Sequence, residues 1–294
     1  MNQAETLEKI MAETNQKNRR EDRNSSIQQP RVISVTSGKG GVGKTNIVTN
    51  LGYCLADLGK DILILDADLN LANVDVLLGL YPKYNLHHVF LGEKKLNEIL
   101  LNGPGGIRIL PASSGIMEME NLSEEQKMFF LSEIKELNYQ LDFLLIDTAA
   151  GLNSNVIYFT LAARERIIIL TPEPTSLTDA YAMIKVLSSK HGIKRFRILV
   201  NFVTSKQEAL RVYQQLTKVA DRFLGTISLD YLGHLPRDAK LTRAVRSQQL
   251  VTVTNPDCPV SKIYYSLARK IISEKPDLRI DGNIQFFWQD ILSI

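Results

Sequence analysis

A glycine-rich stretch near the start of the chain, Ser37-Gly38-Lys39-Gly40-Gly41-Val42-Gly43-Lys44-Thr45, has the residue types and spacing of a phosphate-binding loop. Glycines let successive backbone N–H groups turn inward around a polyphosphate, because they carry no Cβ atom that would clash. Lys44 would reach the β- and γ-phosphates, and the Thr45 hydroxyl would bind Mg²⁺. We therefore predict that a nucleoside triphosphate contacts Gly38, Gly40, Gly41, Val42, Gly43, Lys44, Thr45 and Asn46.

Aspartates follow two apolar runs that are typical of buried strands. Asp147 comes directly after Leu144-Leu145-Ile146 and precedes small residues that end in Gly151, which is the Walker B arrangement. A carboxylate there orders Mg²⁺ through its water shell, and the glycine can sense the γ-phosphate. Asp66 and Asp68 follow the run Ile62–Leu65. One of these two carboxylates could face the metal and the other the attacking water, although either could instead be a turn residue.

Two later positions are candidates for contacts with the nucleotide base. Asn201 ends an apolar run and could present its amide to adenine, and the loop Pro236-Arg237-Asp238 could pack beside the base. Both positions are equally compatible with turn chemistry. The sequence has no N-K-x-D motif at the corresponding strand end that would specify guanine, so ATP is favoured over GTP.

Strands and helices that alternate from Arg31 onward would position these residues. The nearly unbroken apolar runs predict a mostly parallel sheet covered by helices on both faces, an α/β doubly wound fold of the P-loop NTPase type. Ligands of such sheets bind beyond the carboxyl ends of the strands, where the aspartates and Asn201 fall. The predicted strands are Val32–Thr36, Ile62–Asp66, Ile107–Pro111, Phe143–Thr148, Arg166–Thr171, Phe196–Asn201 and Ile227–Leu235, and the predicted helices include Glu124–Tyr139, Ser176–Lys190 and Ser205–Phe223.

The two ends of the chain look like appendages to a core at residues 31–275. Residues 1–30 combine a short amphipathic pattern with a polar, basic linker. Residues 276–294 end in an amphipathic helix whose apolar face carries Ile284, Phe287, Trp288, Ile291 and Leu292. Such a helix docks on its own domain, binds a partner, or lies on a membrane surface.

Composition narrows the class of protein. A chain of 294 residues with 44% hydrophobic residues can bury a full core, and a net charge of +3 does not by itself argue for nucleic acid. The two cysteines, Cys54 and Cys258, lie far apart, which suits a reducing compartment and makes a thiolate metal site unexpected. No apolar run has the length of a membrane span, and the polar N-terminus is not a secretory signal. We therefore expect a cytoplasmic protein.

The sequence K-G-G-V-G-K-T resembles the deviant Walker A loop of the MinD/ParA class of ATPases. The resemblance implies that the extra lysine, Lys39, crosses a dimer interface onto the partner's nucleotide, so ATP would drive homodimer formation. The stretch from Asp66 to Asp75 resembles the D-x-D-x-x-x-x-N-x-D switch of the MinD branch, which implies a water-positioning role for Asp68 and leaves Asp66 to assist Thr45 and Asp147 at Mg²⁺. Hydrolysis of ATP to ADP is implied.

The ends of the chain resemble the FlhG (FleN, YlxH) branch, whose members regulate flagellar number. Asn2-Gln3-Ala4-Glu5-Thr6-Leu7 is similar to the D-Q-A-x-x-L-R motif that stimulates the GTPase FlhF, with Gln3 in the place of the working glutamine. Asn2 replaces the acid and Glu8 stands where the arginine is expected. The resemblance implies as partners an FlhF-type GTPase, flagellar basal-body or transcription-regulator proteins, and a membrane surface reached through residues 284–294 in the ATP dimer, with no direct nucleic-acid contact.

Other functions remain compatible with the sequence. A ParA-like partition ATPase would need a basic surface stripe for DNA. A cell-division-site regulator of the MinD kind, or an iron–sulfur carrier ATPase of the same fold, is a further alternative. The carrier would need a cysteine pair at a dimer interface, and Cys54 and Cys258 do not have C-x-x-C spacing.

Overall fold

The computed structural model describes residues 30–69, 73–112, 122–137, 141–225 and 227–275. Its strands are β1 (Arg31–Ser37), β2 (Ile62–Ala67), β3 (Leu101–Asn102), β4 (Arg108–Leu110), β5 (Phe143–Ala150), β6 (Glu165–Leu170), β7 (Arg195–Val203) and β8 (Ser228–Pro236). Its α-helices are α1 (Lys44–Asp57), α2 (Val74–Leu78), α3 (Leu86–Phe90), α4 (Glu124–Glu136), α5 (Ser154–Ala162), α6 (Pro174–His191), α7 (Lys206–Phe223), α8 (Ala239–Arg246), α9 (Val251–Thr254) and α10 (Pro259–Ser273), with 3-10 turns at Leu96–Glu98 and Pro104–Gly106.

The described strands form one eight-stranded sheet in the order β3-β4-β2-β5-β1-β6-β7-β8. Every neighbouring pair is parallel except β3 and β4, which pair antiparallel through Leu101 with Ile109 and Asn102 with Arg108. The predicted fold class, a mostly parallel doubly wound sheet, is confirmed. All seven predicted strands are present with shifted ends, and β3 is an additional edge strand.

Burial on both faces of the sheet explains why the strand sequences are largely apolar. Ile33 and Val35 of β1 pack into a cluster with α1 and α10, whereas Val32 packs into a cluster with α4 and α5 on the other face. Farther along the sheet, Ile168 and Leu170 of β6 face a third cluster that α6 and α7 supply. Since helices cover both faces, successive residues of a strand are buried on opposite sides, and both faces select mostly apolar residues.

Parallel strands bring their carboxyl ends to one edge of the sheet and their amino ends to the other. The phosphate loop, Asp66, Asp147 and Asn201 lie at or near the carboxyl ends of β1, β2, β5 and β7. The fold therefore gathers the predicted site residues at one edge.

Both predicted appendages fall almost entirely outside the described residues. Residues 1–29 and 276–294 are not described, so the division into residues 1–30, 31–275 and 276–294 stays a prediction, as does the Gln3 segment. Within the described residues, the helices are too short or too polar to span a membrane.

Candidate nucleotide-binding site

The phosphate loop joins β1 to α1 and depends on glycine at specific points. Gly43 precedes α1 with φ 91° and ψ 22°, a left-handed conformation that favours glycine, and none of the side chains that the structure describes caps the N-terminus of α1. The first N–H groups of α1 are therefore left to a ligand, which is the arrangement that binds phosphate. Gly38 lies against α6 so closely that a Cβ atom there would be 2.3 Å from the carbonyl oxygen of Asp179.

Lys44 lies inside this loop rather than on the surface. Its side chain is buried, and its Nζ donates a hydrogen bond of 3.1 Å to the Ser37 hydroxyl, which in turn donates to the Lys39 carbonyl at 2.7 Å. Burial lowers the pKa of Lys44, while the negative charges of Asp147 and Asp68 oppose that shift. A buried ammonium near two carboxylates suits the recognition of a phosphate chain that carries Mg²⁺.

Asp147 supplies the strongest local indication of a cation site. It lies on β5 with its side chain buried, and its Oδ1 is a buried atom that has no hydrogen-bond partner among the described residues. The pKa of Asp147 is raised to about 7, mainly by burial and with a smaller contribution from the nearby Asp68, against the opposing effects of a hydrogen bond with Thr45 and the charge of Lys44. Because an unpartnered buried carboxylate oxygen is costly, a cation and its water shell at this point would stabilise the site.

Asp66 lies beside Asp147 on the neighbouring strand, in register with it. It is fully buried, and its two oxygens accept three backbone hydrogen bonds, from Asp68 (3.1 Å), Asn73 (3.0 Å) and Val74 (3.1 Å). Burial and the charge of Asp147 raise the pKa of Asp66, and the three N–H donors oppose that shift. Asp66 thus fixes the backbone of the predicted switch, which is the turn use that the sequence left open for these aspartates, while its assistance to the metal stays a prediction.

Asp68 lies just beyond the end of β2, where its side chain is half-buried. The Asn73 amide donates to its Oδ2 at 3.4 Å, and its charge acts on both Lys44 and Asp147. The residue is therefore close to the phosphate loop and reachable by solvent, as a water-positioning carboxylate must be.

The donor set fits magnesium bound together with a nucleotide. Thr45 and Asp147 are hydrogen-bonded to each other and border the loop, and Asp66 lies next to them. In the described part of the chain, no group of three or more His, Cys, Asp or Glu side chains is arranged to hold a metal alone. Magnesium in nucleotide sites takes one or two protein ligands plus phosphate oxygens and water, so this small donor set is of the expected kind.

The predicted base-binding residues lie together on the far side of the loop. The Asn201 Nδ2 donates to the Val42 carbonyl at 2.8 Å, and its Oδ1 accepts from the N–H of Phe202, which has an unusual φ of 59°. Arg237 donates to the Phe202 carbonyl through Nε at 3.3 Å. Asp238 caps α8 through the Lys240 N–H at 2.7 Å, and Pro236 ends β8. Asn201 thus braces the loop, and contact of these residues with adenine stays a prediction.

Lys39 has a different environment from Lys44. Its side chain is 35% exposed, and its Nζ donates to Glu173 and, at 2.9 Å, to the Thr175 hydroxyl. The sequence did not identify Glu173 as its partner, because the two residues are 134 positions apart.

Gly151 connects the loop to β5, since its N–H donates to the Ser37 carbonyl at 3.0 Å, and its φ of 93° favours glycine. Gly40, Gly41 and Asn46 lie at the exposed or half-buried rim.

Comparison with known proteins places this site in a family. A family model described as an AAA domain matches residues 30–201. The antiactivator FleN of Pseudomonas aeruginosa is 45% identical over 262 residues, which are 89% of this chain and 93% of FleN. The flagellum site-determining protein YlxH of Helicobacter pylori is 32% identical over 273 residues, which are 93% of this chain and 91% of YlxH.

A solved structure shows the same fold. The septum site-determining protein MinD of Pyrococcus horikoshii OT3, in complex with Mg-ADP, superposes with a TM-score of 0.66 over 83% of this chain and 97% of that protein, at 24% identity. The fold, the family match and the two relatives agree with the resemblance of the phosphate loop. The chain belongs to the MinD/ParA type of P-loop ATPases, in the part of that family close to FlhG that contains FleN and YlxH.

Proposed function

We propose that this chain is an ATP-hydrolysing switch that forms a homodimer with ATP and regulates flagellar number and placement. The observation that carries the proposal is the buried Oδ1 of Asp147, which has no hydrogen-bond partner in the described part of the chain and lies beside Lys44 and Thr45 at the edge of the sheet where nucleotides bind. The flagellar part is supported by the similarity to FleN and to YlxH, whose name describes a flagellum site-determining protein.

The residues divide the work of hydrolysis among them. Lys44 offsets the negative charge of the β- and γ-phosphates from inside the loop, and the free N–H groups of α1 add to this attraction. Magnesium, held by Thr45 and Asp147 with Asp66 assisting, supplies further neutralisation of the phosphates when bound. Asp68 accepts a hydrogen bond from the attacking water and orients it for in-line attack.

Dimer formation is assigned to Lys39. Its ammonium lies at the protein surface, outside the cradle that Lys44 occupies. An exposed ion pair with Glu173 is weak, so the lysine can exchange that carboxylate for the phosphates of a second protomer at little cost.

The two lysines give the experiment that tests this division. Lys44→Ala should lose ATP affinity in the monomer, whereas Lys39→Ala should still bind ATP but dimerise poorly and hydrolyse little. Titration with a fluorescent ATP analogue measures affinity, and light scattering with Mg-ATP measures dimer formation. Normal dimerisation of the Lys39→Ala protein would contradict the cross-interface role.

The proposed partners belong to the terminal segments. Residues 1–30 would stimulate an FlhF-type GTPase through Gln3, residues 284–294 would bind the membrane surface in the ATP dimer, and flagellar basal-body or transcription-regulator proteins would bind the switch. A peptide of residues 1–14 should accelerate GTP turnover by such a GTPase, and its Gln3→Ala counterpart should not. Equal stimulation by both peptides would remove Gln3 from the mechanism.

A further inference from the structure

A cavity of about 410 Å³ opens at the edge of the sheet opposite the nucleotide site. We call it the basal cavity. Its walls come from the first residues of three strands, namely Arg31 of β1, Glu165 of β6 and Arg195 of β7, together with part of β8 and the segment that follows α10. Seven basic and three acidic side chains line it, an excess of four positive charges. The function derived above does not use this cavity.

The inner wall is held in place by a network of ion pairs. Glu165 accepts hydrogen bonds from Arg31 at 2.7 and 2.8 Å and from Arg197 at 3.2 Å, and these three side chains are only 10–12% exposed. Arg197 also pairs with Glu274, and Arg31 donates to the Glu274 carbonyl at 3.0 Å. Since ordered arginines lose little freedom when they bind an anion, this wall is preorganised.

The mouth of the basal cavity carries more accessible cations. Arg195 and its partner Asp230 are both nearly half exposed, and Lys270 holds the β8 carbonyls of Tyr231 and Leu232 at 3.1 Å each. Lys275 is exposed at the rim. A concave surface with this charge excess attracts anions, because the low-dielectric walls concentrate its positive potential.

The place of the basal cavity next to the C-terminal segment indicates the source of the anion. Lys275 is the last described residue, and the sequence continues from it into residues 276–294. The polar positions of that predicted amphipathic helix are Gln285, Gln289, Asp290 and Ser293, none of them basic. Helices that lie on a membrane surface usually carry Lys or Arg there, so the helix lacks the electrostatic half of a membrane anchor. The basal cavity lies at Lys275, where this segment begins, and it carries the positive charge that the predicted helix lacks.

We propose that the basal cavity binds a phosphate group, and that the source is the headgroup of an acidic phospholipid. This inference rests on the proposed membrane binding by residues 284–294. The helix supplies apolar contact, and the basal cavity supplies attraction to negative headgroups. Membrane binding then depends on acidic lipid and weakens at high salt, which a cation-free helix alone would not explain.

The test uses the full chain with Asp68→Ala and Mg-ATP, so that the proposed dimer persists. One variant adds Lys270→Gln and Lys275→Gln. The control adds Lys83→Gln and Lys95→Gln instead. These two exposed lysines lie in the connection between β2 and β3, and both strands belong to the half of the sheet that does not line the basal cavity. Flotation measures binding to vesicles of phosphatidylcholine with or without phosphatidylglycerol, and thermal melting verifies that each variant is folded.

Each cation near an acidic surface contributes about fivefold in affinity, so the cavity variant should bind phosphatidylglycerol vesicles about 30-fold more weakly. The control variant should lose less than about threefold, because its lysines lie away from the basal cavity. Lys275→Gln alone, at an exposed position, should give about a fivefold loss.

The outcomes separate this inference from the proposed function. Binding to both vesicle types with equal strength, unchanged by the cavity substitutions, would overturn the basal cavity as a lipid site while leaving the helix as an anchor. Absence of binding by every protein would overturn membrane association as well. In a separate binding experiment, glycerol 3-phosphate is added without vesicles to the ATP-saturated protein. Tight binding of this compound that the cavity substitutions abolish, with vesicle binding unaffected, would identify a soluble phosphate compound as the ligand and overturn the lipid source.

Discussion

Gly38 lies against the backbone of α6, and this contact predicts a loss of nucleotide binding in Gly38→Ala. The added Cβ would be 2.3 Å from the carbonyl oxygen of Asp179 and 2.4 Å from its carbonyl carbon. Since non-bonded carbon contacts are comfortable near ~3.5 Å, the loop or α6 must move by roughly 1 Å. Overpacking of this kind costs about 1–3 kcal/mol, and binding that needs the original loop would weaken by about 5- to 150-fold.

Gly40→Ala is the matched control in the same loop. The nearest protein atom to a Cβ at that position is the Ala150 Cβ at 4.0 Å, an ordinary contact, so the nucleotide-free Gly40→Ala protein should melt like the wild type, whereas Gly38→Ala should melt lower. Thermal melting without nucleotide compares the two variants, and titration with a fluorescent ATP analogue measures the affinity of Gly38→Ala. Wild-type affinity in Gly38→Ala would refute the inferred seating of the loop against Asp179.

Two other predictions concern charge. In the nucleotide-free protein, burial raises the pKa of Asp147 to about 7, so the folded chain holds a proton more tightly than the unfolded chain. The stability that this proton contributes is complete below about pH 4, where the unfolded carboxyl is also protonated, and declines progressively until the pH reaches about 7. Asp147→Asn should therefore melt higher than the wild type at pH 8 and vary less with pH, and an equal pH dependence in calorimetry would contradict the shift. Glu173→Gln removes the partner that holds Lys39 within its own chain. In sedimentation, the variant should form ATP dimers at a protein concentration equal to that of the wild type or as much as about fivefold lower. Loss of dimerisation would refute the exchange of partners.

The sequence predicts the central sheet because each strand is buried on two faces. Runs such as Ile62–Leu65 and Ile167–Leu170 have no polar position, and both lie inside the sheet. The edge strand β3 has two residues and pairs antiparallel with β4, so it has no periodic signal of its own. The helices α2 and α3 have five residues each, too few for an apolar stripe to recur.

Local motifs identify the residues of the site but not their partners. The loop spacing indicates Lys44 and Thr45, and the strand end indicates Asp147. The contact of Lys39 with Glu173 joins residues that only the folded chain brings together. The hold of Asp66 on the backbone of Asn73 and Val74 likewise depends on the path of the chain after β2, which no spacing rule specifies.

The central proposal is that ATP drives dimerisation and that hydrolysis reverses it. The mass of the Asp68→Ala protein in Mg-ATP tests this proposal most directly. Multi-angle light scattering, combined with a phosphate-release assay on the same sample, should show twice the monomer mass of 33.1 kDa and no turnover. The wild type should return to the monomer as its ATP is consumed, because its Asp68 positions the attacking water. A monomeric Asp68→Ala protein at saturating ATP, or one that releases phosphate at the wild-type rate, would contradict the switch.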